Sequence, residues 1–333
     1  MTPQVFRTRI TDLFGIRHPI LCGGLMHLAD DAYVGAVVNA GGMGFITPRS
    51  FATDDAFREA LKRCAGITGG KPFGVNLYVS ARPEANEPLK RFMDIAIAEG
   101  VRCAETAGYR PDAFLPALKA AGMTVIHKCT SLRHALAAEK AGVDAVTILG
   151  MEAGGHPGMQ LVGTMVQGAV VPQALKVPVV LAGGMGTGRQ LIAALALGAE
   201  GMLMGSRMTV ATEVWAHEGY KRHVLGLDHT GTKIVMGIFG DNSRVLDNRT
   251  ARAVLELEAQ GVRDFEQYRD LVRGSYQREA YETGDWERGT LSIGQSCVFA
   301  DRIAPVEAIF DEILAEAAAV QRRVASLDNK QLV

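Results

Sequence analysis

Eight short apolar runs, each separated from the next by a helix-prone stretch, constrain this chain more than any other feature. The runs lie at 20–23, 44–47, 73–78, 102–105, 124–128, 145–149, 179–182 and 201–204. Helix-like segments between them include 32–40, 54–64, 88–99, 113–121, 131–141 and 188–197. Strands alternating with helices build βαβ units and a parallel sheet. Eight such strands predict a closed (β/α)8 barrel, the TIM-barrel architecture, with a doubly wound open sheet as the alternative. Ala-Gly pairs at Gly41, Gly122 and Gly142, and Leu197-Gly198-Ala199, end helices with a residue suited to the left-handed cap.

Past Met208 the texture changes. The segment 213–290 is charged, helix-prone and nearly strandless, and reads as a helical insertion after the last strand that shapes the substrate site. The barrel is then expected to take 1–212 and 291–333. The amphipathic stretch 305–327 would be its last helix.

Composition narrows the function classes. The 333 residues hold 35 Lys+Arg against 36 Asp+Glu, so there is no global pull toward nucleic acid or an anionic membrane. Aromatics are only 6%, which argues against stacking platforms for single-stranded nucleic acid. The cysteines Cys22, Cys64, Cys103, Cys129 and Cys297 are scattered and form no CxxC pair, so reduced thiols in a cytoplasmic protein are expected. The first residues lack the apolar core of a signal peptide, and no apolar run is long enough for a transmembrane helix. No metal is expected: His217, Glu218 and His223 miss the HExxH spacing. GxSxG and GK[ST] are also absent.

Two glycine-rich loops carry the chemistry. Met151-Glu152-Ala153-Gly154-Gly155-His156-Pro157-Gly158 follows the sixth strand directly. In a barrel this loop opens at the C-terminal face, where active sites sit. Gly154 and Gly155 let the backbone approach a ligand and bring His156 to the mouth, where imidazole can exchange a proton near neutral pH. The bland alternative is a turn with a surface histidine. The second loop, Ala182-Gly183-Gly184-Met185-Gly186-Thr187-Gly188, follows strand seven, and Gly205-Ser206-Arg207 follows strand eight. Turns at these two places suit a phosphate held by backbone N–H groups and a helix N-terminus. The spacing is wrong for a dinucleotide fingerprint, and tight packing is the competing explanation for the glycines. Smaller clues are Gly23, Gly24 and Met26 after strand one, Asn76 in strand three, Lys128 at the end of strand five and Gln295 before the last helix. Lys128 could neutralise a phosphate or a reduced ring, or be a solvated rim residue.

Together these residues resemble the nitronate monooxygenase family, formerly called 2-nitropropane dioxygenases, which also includes flavin-dependent enoyl-acyl-carrier-protein reductases and NADH:quinone reductases. The similarity runs from about Leu13 to Met208 and resumes near Gln295. It is carried by the EAGGHPG, LAGGMGTG and MGSRM segments in that order. The resemblance implies a barrel that binds FMN without a covalent bond. Gly183, Gly184, Gly205 and Ser206 would hold the phosphate, with Ala182, Gly154 and Gly155 beside them. Gly23, Gly24 and Met26 would lie along the ring, Asn76 and Lys128 at its polar edge, and Gln295 against flavin or substrate. His156 matches the family's active-site histidine.

The stretch after strand one departs from the family's Ala-Pro-Met, reading Gly24-Leu25-Met26 and then His27, so His27 could enter the pocket. The expected activity is oxidation of alkyl nitronates, or nitroalkanes, with O2 to carbonyl compounds and nitrite. NAD(P)H-dependent reduction of quinones or enoyl thioesters is the alternative, and a non-enzymatic phosphate-ligand barrel a third. The partners expected are a small-molecule substrate and O2, without nucleic acid or membrane, and a homodimer is compatible with the sequence.

Overall fold

The computed structural model describes residues 6–327, so the outermost residues assigned to the barrel lie outside it. Eight parallel strands close into a barrel in sequence order: β1 (Ile20–Cys22), β2 (Met43–Ile46), β3 (Gly74–Val79), β4 (Cys103–Gly108), β5 (Thr124–Cys129), β6 (Ala145–Leu149), β7 (Val179–Ala182) and β8 (Gly201–Met204). Pairing of Leu21 with both Met43 and Leu203 seals the ring. Closure leaves no exposed edge, and an open sheet is thereby ruled out.

A short helix α1 (Arg9–Phe14) plugs the N-terminal end. Ile10 and Phe14 enter the cluster that fills the barrel, with Leu21, Phe45, Ile126 and Leu203. The outer layer is α2 (Asp31–Asn39), α3 (Asp54–Thr68), α4 (Glu87–Ala98), α5 (Leu115–Ala120), α6 (Leu132–Ala141), α7 (Thr164–Ala174) and α8 (Gly188–Ala196). Their starts follow ordinary capping chemistry. Asp30, Thr53, Ser131 and Thr187 each accept a backbone N–H of the first turn. Gly142 ends α6 in the left-handed conformation, as its sequence predicts.

After β8 come α9 (Glu218–Leu225), α10 (Arg249–Ala259), α11 (Glu266–Arg269), α12 (Gly274–Thr283) and α13 (Val306–Ala325). The insertion is not strandless. Between α9 and α10 lies an antiparallel hairpin, β9 (Thr232–Val235) and β10 (Ser243–Leu246). Its two strands, Thr-Lys-Ile-Val and Ser-Arg-Val-Leu, each carry a charged residue and lack the continuous apolar run of the barrel strands. They are held by burial of Val235 and Val245 with Tyr268 and Val254, and by bridges from Gly155 to Arg244 and from Val245 to Ser292. Those partners are remote in sequence. Among the described residues no helix is long and apolar enough to cross a membrane.

Candidate active site

Parallel closure places every βα loop at one end of the barrel, and the predicted site residues on those loops gather there. The centre of the mouth is a group that the sequence does not single out. Glu105, in β4, is fully buried. Its Oε2 accepts from the Gly24 backbone N–H at 2.9 Å and from Asn76 Nδ2 at 2.6 Å, and lies 3.0 Å from Lys128 Nζ. Asn76 sits directly across the β3–β4 register from Glu105. Three residues read separately from the sequence, Gly24, Asn76 and Lys128, therefore share one carboxylate. The available signal was an acidic residue inside a buried parallel strand, where charge requires partners.

Gly23 and Gly24 pass so close to this cluster that side chains there would collide. A Cβ at position 23 would lie 2.7 Å from Lys128 Nζ and 3.1 Å from Glu105 Oε1, and one at position 24 would lie 2.4 Å from Asn76 Cβ. Glu105 Oε1 and Thr47 Oγ1 are both buried and have no hydrogen-bond partner among the described residues. Beside them a pocket is lined by Met26, Arg49, Tyr78, Leu89 and Phe92. It is apolar within, with the exposed Arg49 at its rim.

His156 lies on the far side of Tyr78, ring centroids 6.1 Å apart, with its side chain 48% exposed. Its Nε2 is 3.5 Å from Asp241 Oδ1, in the β9–β10 turn. The loop is held from below by the insertion. Gly155 and Arg244 exchange backbone hydrogen bonds at 3.0 and 2.6 Å. Arg244 Nε donates to Met151 O, and its Nη1 donates to Thr232 Oγ1. Burial pulls the Arg244 guanidinium down from its ordinary value, while nearby Glu152 opposes that shift. The close approach at Gly154 is to the chain itself, since a Cβ there would meet Gly294 N at 2.6 Å.

The two turns expected to hold phosphate lie beside each other. Gly183 and Gly184 adopt left-handed conformations, with φ of 92° and 70°. A Cβ at Gly205 would find only Leu25 Cδ2, at 3.7 Å, so that side is open. Ser206 opens a short 3-10 helix, and its Oγ accepts from Gly294 N at 2.6 Å. The N-terminus of α8 is not part of this cradle. Gln190 Oε1 takes the Gly186 and Thr187 N–H groups, and Glu316 Oε2 takes that of Gly188. The later glycines of that loop serve packing: a Cβ at Gly188 would lie 2.2 Å from Ile313 O in α13. Gln295 Nε2 donates to His229 O, and the Gln295 backbone N–H donates to Glu152 O.

His27 does not line the mouth pocket. It adopts φ 65°, and its carbonyl accepts from Trp215 Nε1. Cys22 and Cys129, near the same end, are buried, and burial pushes both thiols up to about 12, away from thiolate chemistry.

Glycine turns after β7 and β8, open on the Gly205 side, a charged floor and a histidine at the rim define a class, that of (β/α)8-barrel enzymes working at the C-terminal mouth. A family model described as nitronate monooxygenase matches residues 7–316. A probable nitronate monooxygenase of Staphylococcus aureus is 28% identical, over 87% of this chain and 92% of its own. A Rhodococcus jostii protein named (3aS,4S,5R,7aS)-5-hydroxy-7a-methyl-1-oxo-octahydro-1H-indene-4-carboxyl-CoA dehydrogenase is 35% identical, over 73% of this chain and 67% of its own. Among solved structures, FabK from Thermotoga maritima superposes with a TM-score of 0.88 at 34% identity, covering 97% of this chain and all of that one. The chain belongs to the nitronate monooxygenase family, and it is a flavin-dependent oxidoreductase.

Proposed function

We propose that the protein binds FMN at the barrel mouth and oxidises alkyl nitronates with O2 to carbonyl compounds and nitrite. The observation that carries this reading is the apolar face of Met26, Tyr78, Leu89 and Phe92 beside the exposed Arg49, with His156 next to Tyr78. A short apolar chain with an anionic head matches that combination.

The donor set also fits the cofactor. Gly183, Gly184, Gly205 and Ser206 offer backbone N–H groups and a hydroxyl to a phosphate. Gly23, Gly24 and Met26 leave a flat approach for a ring, with Asn76 and Lys128 at its polar edge. Ala182 supports the turn below, and Gln295, tied to the Glu152 loop, closes the side. FMN would supply the one- and two-electron redox chemistry. The chain's own part is binding, orientation and proton handling. Arg49 holds the anionic head at the rim while Leu89 and Phe92 keep water from the tail. His156 donates a hydrogen bond to a nitronate oxygen through its ring N–H, or takes the α-proton of a neutral nitroalkane onto a ring nitrogen.

A second reading has its own support. FabK and the CoA-thioester dehydrogenase are both more identical to this chain than the S. aureus relative. Under that reading the same site takes electrons from NAD(P)H and acts on an acyl thioester. Mixing FMN-loaded protein anaerobically with a nitronate and, in parallel, with NADH separates the two. Bleaching of the visible spectrum by nitronate alone supports the monooxygenase, and fast bleaching by NADH alone supports the reductase and overturns the first reading.

A further inference from the structure

Glu105 gathers three polar partners at the mouth, yet half of it is unused. Oε2 is saturated by Gly24 N–H, Asn76 Nδ2 and Lys128 Nζ, all within 3.0 Å. Oε1 is equally buried and has no hydrogen-bond partner among the described residues. A carboxylate oxygen kept from water without a donor is costly, and native proteins retain one where something else is to be bound. The absent Cβ of Gly23 leaves a gap against both groups, since it would lie 3.1 Å from Oε1 and 2.7 Å from Lys128 Nζ.

The mouth therefore presents an acceptor, Glu105 Oε1, beside a donor, Lys128 Nζ, with the Asn76 amide fixed on the same carboxylate. That alternation complements a ring edge on which an N–H lies between two carbonyls. We propose that Glu105 is the positioning residue of the ring-binding floor: it fixes Lys128 and Asn76, cancels the Lys128 charge beneath the ring, and offers Oε1 to a ring N–H. This inference rests on the FMN reading above. Its consequence is electrostatic. With Glu105 ionised the floor carries a neutral pair, and without it Lys128 is an uncompensated cation. A cation favours the reduced, more anionic ring over the oxidised neutral one.

The test compares binding of oxidised and reduced FMN to wild-type protein and to Glu105→Gln, by fluorescence titration and by anaerobic equilibration with a reference dye. Oxidised FMN should bind about tenfold more weakly to the variant, for one lost charge-assisted hydrogen bond. The ratio of oxidised to reduced dissociation constants should rise by about tenfold, seen as a more positive potential. Loss of affinity by the same factor for both forms, or no change, would overturn the proposal, because a purely structural role moves both alike. If Glu105→Gln does not fold, Lys128→Gln carries the test. The ratio should then fall, and it should return toward wild type in the doubly neutral Glu105→Gln/Lys128→Gln protein. An unmoved ratio in Lys128→Gln overturns the proposal as well. Wild-type protein that binds no FMN would instead take down the cofactor reading itself.

Discussion

His156 owes its position to the residues around it. Its loop is pinned through Gly155 and Arg244, its ring faces Tyr78, and Asp241 lies 3.5 Å from Nε2. Replacing it with asparagine keeps a donor and removes the base. His156→Asn should bind FMN as wild type does, yet lose about a hundredfold in turnover of neutral nitroalkanes and much less with preformed nitronates. Oxygen consumption with the two substrates reads this directly, and equal losses would refute the base assignment. A second histidine makes a prediction about stability. His18 is buried, neither ring nitrogen has a hydrogen-bond partner among the described residues, and burial, reinforced by Arg17, lowers it to about 4 from an ordinary 6.5. Between those values the unfolded chain binds a proton that the folded chain does not. The stability present above pH 6.5 is therefore lost as pH falls toward 4. His127, held near 4 by the same burial, adds to the slope. His18→Leu should melt with a shallower dependence on pH across that window in scanning calorimetry. At this scale the sequence was partly legible. His156 and the glycine turns are visible because their residue types and places after strands are unusual. Glu105 is not, because its meaning depends on which residues lie across the barrel from it, and no local pattern brings Gly24, Asn76 and Lys128 together.

Elements were legible where their signals are local. Strands β6, β7 and β8 begin and end where the apolar runs do, because Gly150, Gly183 and Gly205 stop them directly. Strand β4 runs on past Glu105 to Gly108, since Thr106 and Ala107 pair with β3 although the run looks exhausted. The β9–β10 hairpin was missed because remote partners hold it. One of its residues reaches the site. Arg244→Ala removes donors to Met151 O and Thr232 Oγ1 and should free the His156 loop. Leaving those acceptors unpaired costs about 2 kcal/mol, and turnover should fall while FMN affinity is unchanged. Thermal melting and flavin titration of the same preparation check both halves. The α8–α13 contact gives a sharper test of packing. Gly188→Ala places a methyl group 2.2 Å from Ile313 O and 2.4 Å from Ala317 N, both backbone atoms that cannot swing aside. The helices must separate, at a cost of about 2 kcal/mol, which urea unfolding would register.

On the scale of the whole molecule, the middle of the insertion has a core of its own, while its two ends pack into the barrel's helical jacket through Tyr220, Val224, Ala280 and Tyr281. The barrel's interior and its helical jacket form two large clusters, while Val235, Met236, Val245, Ala251, Val254 and Tyr268 form a small one of their own. A small core that shares few residues with its neighbour opens more readily than the closed barrel, whose strands are paired on both sides. The Gly155–Arg244 bridge ties that local opening to the active-site loop. Val254→Ala removes two buried methyl groups from the small core and should cost about 2 kcal/mol. If the insertion opens as its own unit, amide exchange across 232–272 should quicken by about thirtyfold while β1–β8 keep their protection. The Gly155 amide, which donates to Arg244 O, should quicken with the insertion although β6, the strand its loop follows, does not. Protection lost evenly across barrel and insertion would mean that the two unfold together. The barrel would then hold the His156 loop in place, and the hairpin would have no separate hold on it.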